Sequence, residues 1–385
     1  MPTLSLIDSY AEELTAIRRD IHAHPEIGFE EHRTADLVAR MLEGWGITVT
    51  RGIGGTGVVG VLDGKGPGRT IGLRADMDAL PMDELTNLAY ASRTPGVFHG
   101  CGHDGHTTML LGAARYLAET RDFDGRVVFV FQPAEEGLGG ARRMIAEGLF
   151  DRFPVDEIYG LHNSPFDALG EVRVKPGPAM AGASFFDITV QGKGSHGAAP
   201  HMSRDPVTIG ASLVGELQTI VSRNVPATHA AVLSVTQFHA GSAYNVIPGT
   251  ATLAGTVRYF DRADMELIGE RMQALCDGYA LAHGSEITLD LRNVFDVLEN
   301  DPAHCEMIKA AASDVVGAEH VADKKEPAMG SEDMADMLAL VPGAYFTVGH
   351  DGDVPLHNPG YVFDDKLLPI GASIFSRLVE QRGAA

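Results

Sequence analysis

The sequence predicts an α/β fold with a mostly parallel sheet, helices on both faces of that sheet, and a second, smaller domain inserted in the chain. Short apolar runs alternate with helical periodicity before residue 181 and again after residue 298. Between these parts, residues 182–297 follow the order βαββαβ of a ferredoxin-like unit. The length of 385 residues suits two domains. We therefore predict one domain of residues 1–181 and 298–385, with residues 182–297 inserted.

The first domain begins with helical periodicity and continues with short apolar strands. Leu6, Tyr10, Leu14, Ile17 and Ile21 recur at three- and four-residue steps, as on the apolar face of a helix. Before the insertion we predict strands at Val58–Leu62, Thr70–Arg74, Val127–Phe131 and Ile158–Leu161 and a helix at about Thr107–Glu119. After the insertion we predict a helix near Glu306–Val316, a helix opened by Ser331 with Glu332 and Asp333 in its first turn, a strand at Ala344–Val348 and a helix near Lys366–Glu380.

The inserted domain is predicted as an antiparallel sheet with helices on one side. Ile287, Leu289 and Leu291 alternate with polar residues, which is typical of a strand with one face in solvent. Its predicted elements are the strand Phe185–Val190, the helix Pro206–Ser222, the strands Ala231–Phe238 and Thr250–Tyr259, the helix Asp264–His283 and the strand Glu286–Asn293.

The glycine-rich stretch Gly52–Gly57 matches the pattern G-x-G-x-x-G of dinucleotide-binding folds. In those folds a helix begins at the glycines, so that its N-terminus meets the pyrophosphate. Here the apolar run Val58–Leu62 follows instead and predicts another strand. We therefore interpret the glycines as the turn of a β-hairpin.

The charge balance excludes several kinds of partner. The chain has 52 acidic and 30 basic residues and a net charge of −22, so nucleic acid and anionic membrane surfaces would be repelled. We find no apolar stretch of the length that crosses a membrane. Acids at Asp8, Glu12 and Glu13 follow an N-terminus without a leader pattern, so we expect a cytoplasmic protein. Three cysteines do not make a disulfide framework.

Polar residues that can bind metals follow several of the predicted strands. In an open α/β sheet this edge is where ligands bind. Cysteine, histidine and glutamate are ligands that suit Zn²⁺ best and also accept Mn²⁺, Co²⁺ or Ni²⁺. The segments are Asp76 with Asp78, the loop His99–His106, Glu135 with Glu136, His162, and a late loop with His350 and His357.

The residue types in these segments point to hydrolysis. Cys101 lies between glycines and two residues before a histidine, which favours a metal ligand over a packed core residue, whereas Cys276 and Cys305 lie in apolar helical patterns. Of the adjacent carboxylates, Glu136 can bind a metal while Glu135 stays free as a general base for the attacking water. Two divalent ions would activate the water and polarise the carbonyl. The sequence thus predicts a hydrolase of amide or ester bonds.

These motifs resemble the M20 metallopeptidase and amidohydrolase family, in particular its branch of hippurate hydrolases, N-acyl-L-amino-acid amidohydrolases and auxin-conjugate hydrolases. The resemblance runs through His22–Glu26, Arg74–Pro81, Cys101–His106, Gln132–Glu136, Gly160–His162 and Pro355–Asn358 and covers nearly the whole chain. It implies a metallopeptidase-type catalytic domain with two divalent ions per subunit. By resemblance, Cys101 bridges both metals, His103 and Glu136 complete one site, His162 and His357 complete the other, and Glu135 is the general base.

One departure from the wider family concerns Asp76, where that family usually has a histidine ligand. The amidohydrolase branch shares the departure, which sharpens the assignment and puts a ligand role for Asp76 in doubt. We expect Asp78 to orient a metal-binding histidine.

The resemblance also implies that the inserted domain is a lid and dimerisation domain, so we expect a homodimer or homotetramer. The equivalent of His196 in relatives reaches the partner subunit's site and stabilises the developing oxyanion. The equivalents of Asn245 and Arg258 hold the substrate carboxylate, as a bidentate guanidinium is suited to do. His201 is a weaker candidate of the same kind.

The function that the sequence predicts is hydrolysis of N-acyl-L-amino acids of the hippurate or N-acetyl type. Two alternatives keep the fold and change the substrate: a dipeptidase or carboxypeptidase, and an N-acetyl-diaminopimelate deacetylase. A third is a non-enzymatic metal-binding protein. That alternative leaves Glu135 unexplained, and five candidate ligands for two ions leave open positions, which suits catalysis.

Overall fold

The computed structural model describes residues 4–383, so the ends of the predicted first domain, 1–3 and 384–385, lie outside the described residues. The described chain forms two compact units. The first comprises the residues up to Ala179, Leu298–Pro327, and the residues from Glu332 onward. The second comprises Met180–Val297 and Ala328–Ser331.

The helices and strands of both units are numbered together along the chain, and in the first unit they alternate as the sequence predicts. The helices are α1 Ser5–Asp8, α2 Ala11–Ala23, α3 His32–Gly44, α4 His103–Thr120, α5 Gly140–Ala146, α6 Leu149–Arg152, α7 Pro206–Asn224, α8 Arg262–His283, α9 Pro302–Val316, α10 Met334–Leu338 and α11 Leu367–Gly383. The strands are β1 Thr48–Ile53, β2 Gly57–Asp63, β3 Thr70–Asp76, β4 Arg126–Gln132, β5 Glu157–Ser164, β6 Val172–Val174, β7 Gly177–Met180, β8 Gly182–Gln191, β9 Ser195–His196, β10 Ala231–Ala240, β11 Val246–Ile247, β12 Thr250–Tyr259, β13 Glu286–Phe295, β14 Leu298–Asn300, β15 Val321–Asp323 and β16 Gly343–Gly349.

The first unit is built on an eight-stranded mixed sheet in the order β1-β2-β4-β3-β5-β16-β6-β15. Its centre, from β4 through β3 and β5 to β16, is parallel, while β1, β2 and β6 run antiparallel to their inner neighbours. The central strands are almost wholly buried because helices cover the sheet, which explains their continuous apolar sequences. The predicted α/β fold is confirmed.

The glycine-rich stretch is a hairpin turn, as predicted. β1 and β2 pair antiparallel, and their last paired residues are Ile53 and Gly57. Gly54 and Gly55 between them have φ angles of 71° and 101°, which only glycine adopts without strain.

The second unit contains a four-stranded antiparallel sheet in the order β10-β12-β8-β13. Of the four strands of this sheet, the first and third in the chain, β8 and β12, lie at the centre, which is the ferredoxin-like arrangement. The helices α7 and α8 supply Leu213, Leu217 and Met272 to its apolar core. Ile287 of β13 is buried there while its neighbours Glu286 and Thr288 are exposed, so the predicted alternation is confirmed.

One predicted helix begins later than expected. The sequence places Glu332 and Asp333 in the first turn of a helix opened by Ser331, but α10 begins at Met334. Both carboxylates instead contact Arg74, whose Nη2 lies 2.8 Å from Glu332 Oε1 and 3.1 Å from Asp333 Oδ1. These contacts offset the cost of burying the guanidinium of Arg74. Within residues 4–383, none of the helices is both long enough and apolar enough to cross a membrane.

Candidate active site

The parallel strands deliver polar side chains to one edge of the sheet. Asp76 at the end of β3 is paired with Gln132 at the end of β4, and His162 lies near the end of β5. Because neighbouring parallel strands end at the same edge, the loops that follow them meet there. The side chains of interest at this edge are Asp78, Cys101, His103, Glu135, Glu136, His162 and His357.

Two groups of potential metal ligands share the thiol of Cys101. The ligand atoms of Cys101, His103 and His162 all lie within 4.8 Å of one another, and so do those of Cys101, Glu136 and His357. Cys101 Sγ is 3.4 Å from His162 Nε2, and Glu136 Oε1 is 3.3 Å from His357 Nε2. A thiolate common to two such groups can hold two neighbouring divalent cations.

The resemblance implies another grouping, in which His103 pairs with Glu136 and His162 with His357, and ligand atoms of His103, Glu135 and Glu136 also lie within 4.8 Å of one another. Nε2 of His103 lies 3.9 Å from Glu136 Oε1, a longer distance than that from His357 to the same oxygen. The backbone fixes the place of His357, because its N–H donates to the carbonyl of Gly100 at 2.9 Å. That bond places His357 beside Cys101.

Nε2 of His103 and Oε1 of Glu136 are buried, and among residues 4–383 neither makes a hydrogen bond of good geometry, although Oε1 lies 3.3 Å from Nε2 of His357. Buried polar atoms are nearly always paired, so two that meet among other potential ligands fit a bound cation. Burial raises the pKa of the Cys101 thiol, and the charge of Glu136 raises it further. A nearby cation stabilises the thiolate form of such a buried cysteine. The residues therefore fit a pair of divalent metal ions.

Asp78 connects the two groups. Its Oδ1 lies 3.2 Å from Nδ1 of His103, and its Oδ2 accepts a hydrogen bond from the backbone N–H of Glu136 at 3.0 Å. With Nδ1 held by the carboxylate, Nε2 of His103 faces the other ligands, as carboxylates commonly orient histidine ligands of metals.

Glu135 lies beside these groups and is only 6% exposed. Its Oε2 is 4.0 Å from His103 Nε2. Burial raises the pKa of Glu135 well above its usual range, and the negative charges of Glu332 and Glu136 add to the effect. Such a carboxylate takes up a proton readily, which is the property of a general base.

Asp76 is engaged by other residues of the protein. Its two oxygens lie 2.8 Å from Arg74 Nη1 and 2.6 Å from His106 Nδ1. Nε2 of His106 in turn lies 2.7 Å from Asn163 Oδ1, whose amide donates to the hydroxyl of Tyr361. Asp76 thus belongs to a buried hydrogen-bond network behind the site, although it also stands within 4.8 Å of ligand atoms of His103 and His106.

His350 joins this network instead of the two ligand groups. It is 2% exposed, its Nε2 lies 3.4 Å from Asn163 Nδ2, and its ring stacks on Phe363. Of the two histidines in the late loop, the structure therefore brings only His357 to the shared thiol.

A second buried network lies under the start of α4. Oδ2 of Asp104 lies 2.9 Å from Arg18 Nη1 and 2.8 Å from His22 Nδ1. These two hydrogen-bonding partners and their charges lower the pKa of Asp104, although burial opposes the shift. His22 belongs to the His22–Glu26 stretch, for which the sequence offered a resemblance but no role.

The remaining predicted residues lie in the second unit. β9 and β11 pair His196 with Val246, and the N–H of Gly197 donates to the carbonyl of Asn245 at 2.7 Å, so His196 and Asn245 are neighbours. His201 lies in a short 3₁₀ turn after β9. Arg258 lies on β12, where burial lowers the pKa of its guanidinium, and its charged group stands 5.9 Å from the ring centre of Phe185.

Fold and site together define a metal-dependent hydrolase, because potential ligands and a free buried carboxylate converge at the ligand-binding edge of an α/β sheet. Comparison with known proteins agrees with this class. The chain belongs to peptidase family M20/M25/M40, whose family model matches residues 72–381.

Individual relatives are similar over most of their length. The chain is 43% identical to the hippurate hydrolase of Campylobacter jejuni over 95% of each chain. It is 43% identical to the N-acyl-L-amino acid amidohydrolase of Geobacillus stearothermophilus over 78% of this chain and 82% of that one. Among solved structures, the YXEP protein of Bacillus subtilis, a dinuclear metal binding peptidase of the M20 family, superposes with a TM-score of 0.85 at 32% identity, covering 97% of this chain and 98% of that one.

Proposed function

We propose that this protein hydrolyses the amide bond of N-acyl-L-amino acids and releases a carboxylic acid and a free amino acid. The observation that carries the proposal is the pair of ligand groups that share Cys101, with Glu135 beside them as a buried carboxylate. Relatives named as a hippurate hydrolase and an N-acyl-L-amino acid amidohydrolase support this substrate class.

The proposed site holds two divalent metal ions, with zinc as the first candidate and manganese, cobalt or nickel as alternatives. Cys101, His103 and His162 would hold one ion, and Cys101, Glu136 and His357 the other. When bound, the ions supply positive charge that lowers the pKa of the attacking water and polarises the substrate carbonyl.

In this mechanism Glu135 takes the proton of the attacking water and returns it to the leaving amine. Burial of Glu135 favours the first transfer, because it disfavours the ionised form of this carboxylate. The nearby charges of Glu332 and Glu136 act in the same direction. Asp78 holds His103 in a fixed orientation through Nδ1.

The second unit is proposed to act as a lid and dimerisation domain in a cytoplasmic homodimer or homotetramer. His196 would donate to the oxyanion that develops in the partner subunit's site, and Asn245 and Arg258 would bind the substrate carboxylate. Arg258 suits that task because its half-buried guanidinium would gain from a carboxylate partner.

A turnover screen with a Glu135→Gln variant tests the proposal. N-acetyl, N-benzoyl and indole-acetyl amino acids are offered together with dipeptides and N-acetyl-diaminopimelate, and the metal content is measured on the same sample. We expect turnover of N-acyl amino acids and a kcat lower by roughly 10²–10⁴ in Glu135→Gln with metal content unchanged. Glu30→Gln, which changes an exposed carboxylate, is the control.

Two results would contradict the proposal in different ways. If the protein cleaves dipeptides and no N-acyl amino acids, the proposed substrate class is wrong while the proposed active site is unaffected. Near-normal turnover by Glu135→Gln would show that Glu135 is not the general base.

A further inference from the structure

The segment Glu26–Glu31, between α2 and α3, contacts both loops that carry the proposed catalytic residues. On one side, the carbonyl of Glu26 accepts a hydrogen bond of 2.8 Å from the N–H of Ala79, and Ile27 forms a parallel bridge with the same residue. Ala79 directly follows Asp78. The segment is therefore bonded, backbone to backbone, to the loop after β3.

On the other side, the segment reaches the loop after β4 through the side chain of Glu31. This carboxylate is wholly buried. Its Oε1 accepts a hydrogen bond of 2.8 Å from the backbone N–H of Ala134, and its Oε2 accepts one from the hydroxyl of Thr56. Ala134 is the residue immediately before Glu135, so a buried carboxyl group is bonded to the peptide unit that leads into the proposed general base.

Ala134 adopts a backbone conformation that alanine disfavours. Its φ is 55°, in the left-handed region where the Cβ atom crowds the following carbonyl. Such a conformation persists only when its surroundings hold it. The carbonyl of Ala134 accepts the N–H of Gly140 at 3.0 Å, and a side chain at Gly28 would come within 2.9 Å of the Cα and Cβ atoms of Ala134. The N–H, the carbonyl and the Cβ face of Ala134 are therefore each in contact with other residues.

The direction of the Glu135 side chain depends on this backbone. The carboxylate lies 4.0 Å from His103 Nε2, which is beyond hydrogen-bond length. The φ and ψ angles of Ala134 set the direction in which the chain enters Glu135.

We propose that Glu31 is a positioning residue, which fixes the left-handed backbone of Ala134 and thereby directs Glu135 towards the attacking water. The proposal rests on the proposed function, since it assumes that Glu135 is the general base. Inside a protein a hydrogen bond is electrostatically stronger than in water, so this buried bond suits the task of holding a disfavoured conformation. Gly28 contributes by leaving room for Ala134.

The test compares Glu31→Ala, Glu31→Gln and a matched control, Glu30→Ala. Glu30 is the neighbouring residue in the chain, but its side chain is 75% exposed and lies 3.4 Å from the exposed side chain of His32. Each variant is characterised by kcat and KM on the best N-acyl amino acid from the screen, by metal content, and by hydrogen exchange of residues 133–136. The exchange measurement needs no turnover.

We expect Glu31→Ala to lower kcat roughly 10- to 100-fold with little change in KM, because a small displacement of a catalytic group has effects of that size. Metal content stays unchanged and exchange at residues 133–136 accelerates. Glu31→Gln recovers kcat to within about threefold, because the amide oxygen still accepts from Ala134 and the amide nitrogen can donate to Thr56. Glu30→Ala behaves like the unmodified protein.

A carboxylate with a purely structural role gives a different pattern. Normal kcat in folded Glu31→Ala, while Glu135→Gln is inactive, overturns the positioning role and leaves the proposed function in place. Loss of kcat only in proportion to lost metal, without recovery by Glu31→Gln, overturns it as well. Near-normal turnover in Glu135→Gln overturns the proposed function instead.

If Glu31→Ala does not fold, Glu31→Asp replaces it. Aspartate keeps the charge but is one methylene too short to reach Ala134 and Thr56 together, so we expect the same selective loss of kcat. Normal kcat and normal exchange in this variant would refute the proposal.

Discussion

Glu157 provides a test of the fold at the edge of the sheet opposite the active site. It is the first residue of β5, and its side chain is 1% exposed. Its two oxygens accept hydrogen bonds of 2.8 Å each from Arg382 of α11, and Oε2 lies 3.2 Å from His304 Nε2 of α9. This carboxylate therefore connects the central sheet to two C-terminal helices. We expect Glu157→Gln to destabilise the protein without changing kcat.

The magnitude follows from the pKa of Glu157. Burial opposes its ionisation, but the hydrogen bonds from His304 and Arg382 outweigh burial and lower the pKa from 4.5 to about 2. A carboxylate with a lowered pKa stabilises the fold above its unfolded pKa, and the stabilisation is lost as the pH falls towards the folded pKa. Linkage gives about 3 kcal/mol at pH 7 and about 2 kcal/mol at pH 3.5.

The assay is urea unfolding of metal-free protein and of Glu157→Gln at both pH values, followed by the fluorescence of Trp45. This is the single tryptophan of the chain and it lies in the first unit, so it reports on the unit that contains Glu157. Glu319→Gln is the control, since that side chain is 75% exposed and should change stability by less than about 0.5 kcal/mol. An equal loss at pH 7 and pH 3.5, or no loss at pH 7, would refute the reasoning.

Two further variants test the proposed metal site. Cys101→Ala should lose bound metal in elemental analysis, because the thiol belongs to both ligand groups, and retention of both ions would exclude a bridging thiolate. Asp78→Asn should weaken metal affinity by roughly 10- to 100-fold in a chelator competition, because it disturbs the orientation of His103. Unchanged metal affinity in Asp78→Asn would show that Asp78 does not orient a metal ligand.

The sequence predicts which residues meet at the site wherever this follows from the positions and direction of the strands. Continuous apolar runs such as Val127–Phe131 predict buried parallel strands, and such strands bring the residues after them to one edge. Local sequence around Cys101 and Glu136 then indicates metal binding. The neighbourhood of these ligands could be predicted because it follows from the direction of the strands.

The place of His357 beside Cys101 does not follow from the direction of the strands. It depends on the hydrogen bond between the N–H of His357 and the carbonyl of Gly100, two residues far apart in the chain. Likewise, the start of α10 moves to Met334 because Arg74, on a distant strand, attracts Glu332 and Asp333. Contacts of this kind override local helix signals, and no periodicity reports them.

Glu31 shows the same limit of local patterns more clearly. A glutamate directly before a helix, as Glu31 is before α3, is usually interpreted as a favourable charge at the helix N-terminus. Its contact with Ala134 follows from a left-handed alanine on a loop about a hundred residues away. A signal was nevertheless present, since Gly28 and Glu31 lie just after the His22–Glu26 stretch, which carries the resemblance but no ligand.

The buried charges give an independent argument for cations at this site. Four carboxylates, those of Asp76, Asp78, Glu332 and Asp333, are 2% exposed or less, and Glu135 is 6% exposed. Arg74 contacts Asp76, Glu332 and Asp333, so one fixed positive charge serves three acids. Asp78 and Glu135 lie beside the imidazole of His103 instead, where positive charge would offset the cost of burying them in ionised form. Two divalent ions at the ligand groups that share Cys101 would supply that charge, so the excess of acid behind the site favours the same metal pair as the geometry of its ligands.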